Sequence, residues 1–171
     1  LNDGTGVFTG ENLTELSYRS ESCNPVDMDD DGDFDLLVND LDNGRYFIYY
    51  NDGNASFTPE VVGYSDGAHW ISAADINGDG QLNPITAGFL SNSIQWWEFQ
   101  FGFYQARLVD SNVTGAVYVE GADFDLDGDY DLVACGEISN DIIWYENVDT
   151  DFIMHPLDLS YISAANVVPI D

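Results

Sequence analysis

The chain has almost no positive charge. Three Lys+Arg stand against 32 Asp+Glu in 171 residues, a formal net charge of −29. Three cations cannot build the basic patch that neutralises a phosphate backbone, so nucleic-acid binding is excluded. The same deficit disfavours an anionic membrane surface. No apolar run approaches the roughly 18 residues of a spanning helix, so no membrane insertion is expected. No stretch shows a helical period with caps. The two cysteines, Cys23 and Cys135, allow at most one disulfide. The chain begins at Leu1 without a signal peptide, which reads as a mature or excised piece and does not argue against secretion.

What is present is enough for one domain with a sizeable core: 44% hydrophobic residues, 14% of the chain being aromatic. The acids are concentrated. Asp27–Asp35 holds six, Asp75–Asn83 two and Asp123–Asp131 five, which is 13 of the 32. The other 19 against three bases read as a solvated acidic surface. Like charges packed as tightly as in the windows cost folding energy unless a cation sits among them.

The windows begin at Asp27, Asp75 and Asp123, a spacing of 48 both times. Their texts are DMDDDGDFDL, DINGDGQLNP and DFDLDGDYDL, with Gly32, Gly80 and Gly128 in register. Ile48-Tyr49-Tyr50, Trp96-Trp97-Glu98 and Trp144-Tyr145-Glu146 recur at the same interval. Each unit reads as four short strands separated by turn residues; in the second they are expected at His69–Ala74, Ile85–Phe89, Ile94–Phe99 and Gln105–Asp110. The third strand is apolar at both parities and must be covered on both faces. Four-stranded sheets stacked around an axis give that cover, so the expected fold is all-β, built of β-propeller blades.

The expected division is a preceding blade's last strand at 1–16, blades at 17–64, 65–112 and 113–158, and a following blade's first strand at 159–171. At 48 residues per unit the chain holds about 3.6 units and would not close a ring alone. Other copies of the chain or further blades of a longer one are therefore the expected partners. Cys23 and Cys135 fall on non-equivalent strands of non-adjacent blades, so buried free thiols are expected.

Alternating acids in a tight loop turn their carboxylates inward, and calcium takes six to eight oxygens. Side-chain ligands are expected from Asp27, Asp29, Asp31 and Asp35, with the carbonyl of Asp33. The third loop offers Asp123, Asp125, Asp127 and Asp131, with the carbonyl of Asp129. The second offers Asp75, Asn77, Asp79 and Asn83, with the carbonyl of Gln81; its two carboxylates predict the weakest of three Ca2+ sites. These are not EF-hands, because the twelfth positions are Val38, Thr86 and Ala134 instead of Glu.

The Asp-x-Asp-x-Asp-Gly-Asp-x-Asp-Leu text of Asp123–Leu132, followed by Ile142-Ile143-Trp144-Tyr145-Glu146-Asn147, resembles the FG-GAP/VCBS repeat of integrin-alpha-like propellers. The resemblance implies a calcium-loaded propeller whose ions stiffen hairpin loops and do no chemistry. It also implies an extracellular or cell-surface setting, no enzymatic activity, and adhesion or binding of a protein or carbohydrate ligand. Two alternatives are a structural subunit of an extracellular filament or surface assembly, and a propeller attached to a polysaccharide-active enzyme. Asn166, Val168 and Ile170 stand where a fourth loop's ligands belong, so no metal is expected there. Sequons at Asn12, Asn54 and Asn112 are possible glycosylation sites. Trp96, Trp97 and Trp144 read as blade core, and His155 as a structural strand residue.

Overall fold

The computed structural model describes residues 18–54, 56–158 and 165–166. It contains twelve strands and, among the described residues, no helix. The first sheet is β1 (Cys23–Val26), β2 (Asp35–Asp40), β3 (Arg45–Asn51) and β4 (Phe57–Tyr64). The second is β5 (Ala68–Ala74), β6 (Asn83–Gly88), β7 (Ser93–Gln100) and β8 (Phe103–Asp110). The third is β9 (Ala116–Ala122), β10 (Asp131–Gly136), β11 (Asp141–Val148) and β12 (Asp151–Asp158). Each is antiparallel with its strands in chain order. The expected end strands at 1–16 and 159–171 lie outside the described residues, apart from residues 165 and 166.

The 48-residue period is visible in the pairing itself. The first hairpin of each sheet closes on Val26↔Asp35, Ala74↔Asn83 and Ala122↔Asp131. The third and fourth strands slip register at Tyr46/Phe47, Ile94/Gln95 and Ile142/Ile143. A bulge repeated at one position bends each outer strand alike.

The sheets pack in sequence order, with β5 against β2 and β9 against β5 and β6. Leu37, Tyr46, Ile48, Ile71 and Trp97 fill the first interface. Ile94, Trp96, Val119, Leu132, Ile143 and Tyr145 contribute to the second. Trp96 and Trp97 therefore face opposite neighbours, which is why β7 is apolar at both parities. Gly63 admits the Trp97 ring: a Cβ there would lie 2.2 Å from its edge. The first strands are also stitched together. Asn24 Nδ2 donates to the Ile71 carbonyl at 2.5 Å, and Ser72 Oγ, 48 residues on, donates to that of Val119 at 2.8 Å.

Both cysteines are free, and Cys135 is buried. Cys23, expected to be buried, is exposed: it starts the edge strand β1, whose residues alternate between exposed and half-buried. Trp144 departs from the core expectation too. It is half-buried and stacks on His155 with centroids 4.4 Å apart. All three cations are arginines already held by acids of the chain: Arg19 by Asp42, Arg45 by the buried Asp40, and Arg107 by Glu98.

Candidate metal loops

The three acidic windows form the hairpin loops between β1 and β2, β5 and β6, and β9 and β10. Their backbones agree position by position. The sixth residue is left-handed in each, at φ 94° for Gly32, 87° for Gly80 and 105° for Gly128. The fourth is left-handed as well, at 59° for Asp30, 68° for Gly78 and 64° for Leu126. A leucine in that conformation is strained, so the loop geometry is imposed by its neighbours rather than by the residue itself.

The imposing groups are carboxylates that accept backbone N–H bonds. Asp27 accepts from Asp31 and Gly32 at 3.1 and 3.0 Å. Asp75 accepts from Asp79 and Gly80 at 3.1 and 2.9 Å, and Asp123 from Asp127 and Gly128, both at 3.2 Å. Asp31, Asp79 and Asp127 each accept from the residue two further on, namely Asp33, Gln81 and Asp129, at 2.9, 2.9 and 3.2 Å. The ninth residue is buried and ties the loop's start to β2, β6 or β10. Asp35 accepts from Met28 N at 2.9 Å, Asn83 from Ile76 N at 3.0 Å and Asp131 from Phe124 N at 3.1 Å.

Carboxylate oxygens of Asp27, Asp29 and Asp35 lie within 4.8 Å of one another, as do those of Asp123, Asp125 and Asp127. The expected ligands thus converge only in part: Asp31 and Asp131 stand outside these trios and serve the backbone. Asp33 turns its carboxylate onto Gly53, where a Cβ would meet Oδ2 at 2.3 Å. In the second loop Asn77 Nδ2 donates to Asp79 Oδ2 at 3.0 Å, so an amide offsets part of the charge there.

The clustering registers on the acids. Desolvation, then the charges of Asp31 and Asp35, raise the Asp29 carboxyl above its ordinary range. Asp125 is raised by desolvation and by Asp127 and Asp131. Asp129 is pushed up to about 6 by desolvation, with Asp127 and Asp131 adding to it. Its Oδ1 is buried and has no hydrogen-bond partner among the described residues. An all-oxygen donor set, gathered carboxylates and an orphaned acceptor fit a hard divalent cation; this many carboxylates suits calcium better than magnesium, which keeps more water.

A pH prediction follows. A carboxyl with a raised folded pKa favours folding when protonated, and that contribution is lost as pH rises through about 6. Chelator-treated protein is expected to melt higher at pH 5.5 than at pH 7 (both values on the order of the shifted range). Thermal scans at constant ionic strength measure this, and a lower melting point at pH 5.5 contradicts it.

Residues 27–83 match the family model described as FG-GAP-like repeat. This segment is similar to an FG-GAP-like repeat. It starts on the first position of the first loop and ends on the ninth position of the second, so the matched segment contains both loops and the aromatic strand between them. No curated protein matches the chain.

The loops depend on one further residue class that composition and charge did not single out. Asn51 ends β3, and Asn147, 96 residues on, is the next-to-last residue of β11. Their N–H groups donate to Asp35 Oδ1 and Asp131 Oδ1, both at 2.8 Å. Asn147 Nδ2 also donates to the carbonyls of Ile76 and Tyr130 at 2.9 and 3.1 Å, which couples the third loop to the second. The register was the available signal, since Asn147 closes the Trp-Tyr-Glu-Asn text. The second unit has Phe99 instead.

The histidines are engaged in the scaffold. His155 Nε2 lies 2.7 Å from Glu146 Oε2. His69 spans Glu21 Oε2 at 2.9 Å and the Val117 carbonyl at 3.0 Å. Asn54 and Asn112 are exposed, and Asn12 lies outside the described residues.

Proposed function

We propose that the chain is a calcium-stabilised β-propeller segment that acts outside the cell as a non-enzymatic module for adhesion or for binding a protein or carbohydrate ligand. The observation that carries this reading is the recurrence of one loop conformation, with one hydrogen-bonding scheme, on three sheets packed in sequence order. Calcium would be held by Asp27, Asp29, Asp31 and Asp35, with the Asp33 carbonyl. In the third loop it would be held by Asp123, Asp125, Asp127 and Asp131, with the Asp129 carbonyl. Asp75, Asn77, Asp79 and Asn83, with the Gln81 carbonyl, would bind it most weakly. The ion neutralises clustered carboxylates and locks the hairpins; it supplies no reaction.

A subunit of an extracellular filament or surface assembly is the second reading. The edge strand β12 favours it, because Ile153, Met154 and Leu157 are about half exposed on it, at 49%, 53% and 57%. Sedimentation velocity in millimolar calcium and again in chelator tests both readings. Monomer in calcium supports the module, and multimers that chelator dissolves support the assembly. A sedimentation profile indifferent to calcium, from a chain that binds no ion, contradicts both.

A further inference from the structure

The first and second sheets leave a crevice of about 600 Å3 between their carboxylate loops. Asp29, Asp30 and Gln81 line it on the loop side. Three rings line it on the sheet side. Phe99, 51% exposed, sets its edge on Tyr104 at 5.0 Å, and the Tyr104 hydroxyl lies 3.1 Å from that of Tyr50.

The counterpart between the second and third sheets, about 400 Å3, is lined in part by Asn77 and Glu98, which are 48 residues beyond Asp29 and Tyr50. That crevice contains its own guanidinium. Arg107 donates from Nε and Nη2 to Glu98 Oε2 at 3.0 and 2.7 Å. The first crevice's sheet has Glu60 at the strand position of Arg107, since Ile48 pairs with Glu60 as Trp96 pairs with Arg107, and the crevice has no base among its described lining residues. It offers acids and aromatic faces, the two surfaces on which a guanidinium pairs and stacks.

We propose that this crevice receives an arginine side chain from a basic segment of a partner protein. The proposal rests on the binding-module reading and names its site and the partner's chemistry. Calcium does not remove the attraction: six carboxylates in Asp27–Asp35 and one divalent ion leave a local charge of −4. The wider charge of −29 steers a cationic segment toward the chain and does nothing for a neutral sugar.

The test is calorimetric titration of the calcium-saturated chain, at physiological salt, with a capped Gly-Arg-Gly-Arg-Gly peptide and with its citrulline analogue, which keeps the shape without the charge. The arginine peptide binds and the citrulline peptide does not. Phe99→Ala and Asp30→Asn, both at exposed positions, each weaken binding by about fivefold or more. Glu137→Gln, which removes one acid from a different crevice, leaves it unchanged. Failure of the folded, calcium-loaded chain to bind the peptide overturns the proposal. So does binding that Phe99→Ala leaves intact, since that is diffuse attraction to an acidic surface. Maltohexaose binding that Phe99→Ala abolishes removes the arginine assignment and leaves the binding-module reading standing.

Discussion

Replacing Asp35 with alanine is expected to destabilise even the ion-free chain by about 3 kcal/mol, since two N–H groups lose a charged acceptor. The carboxylate is fully buried and accepts from Met28 N at 2.9 Å and Asn51 N at 2.8 Å. It joins the start of the loop, the start of β2 and the end of β3. No water can take its place without opening the hairpin, so both donors bear the desolvation cost. For a chain of this size that corresponds to a fall of about 6–12 °C in melting temperature. Asp35→Asn separates the two roles of the residue. The second loop already uses Asn83 there, accepting from Ile76 N at 3.0 Å. An asparagine keeps one acceptor oxygen for Met28 N and loses the acceptor of Asn51 N, so this variant is expected to lose less ion-free stability than Asp35→Ala and to lose calcium response. Melting curves of both variants in chelator and in calcium measure this; equal losses for both in chelator contradict the hydrogen-bonding role.

Calcium itself is expected to raise the melting temperature substantially. An ion that binds only the folded loop adds about 2.7 kcal/mol at a hundredfold excess over Kd. That is about 5–10 °C for each loop filled. Removal returns the trios Asp27, Asp29, Asp35 and Asp123, Asp125, Asp127 to mutual repulsion within 4.8 Å. Magnesium at equal concentration is expected to give a smaller rise, because it sheds its water reluctantly. Differential scanning calorimetry with calcium, magnesium and chelator reads all three states, and equal melting points in calcium and chelator contradict the linkage.

Much of this architecture was legible before any coordinates. The 48-residue spacing of Asp27, Asp75 and Asp123 located the hairpins, because a loop that must turn sharply needs Gly at the same place each time. The double parity of β7 predicted cover on both faces, and Trp96 and Trp97 do lie in different interfaces. Strand limits were close: β6 begins at Asn83, two residues before the expected Ile85. What stayed hidden depends on long-range contact. Nothing local in Asn51 or Asn147 marks it as the acceptor's partner, since each meets its aspartate only after two strands have paired. The left-handed Leu126 was equally invisible, because leucine has no preference for that region and is held there by its neighbours. The exposure of Cys23 turns on its place at a sheet edge. The pairing of Asp29 and Asp35 into a trio without Asp31 is a matter of side-chain placement within a loop whose backbone the sequence specified well.

Counting calcium directly tests the central claim. Native mass spectrometry of the chelator-stripped chain, titrated with calcium, is expected to show two ions binding first and a third only at higher concentration. Asp35→Asn removes one of the first two, and Asp131→Asn removes the other. A chain that takes up no calcium in excess of a scrambled-sequence control of equal charge, or variants that bind as many ions as the unaltered protein, would contradict the assignment of these loops.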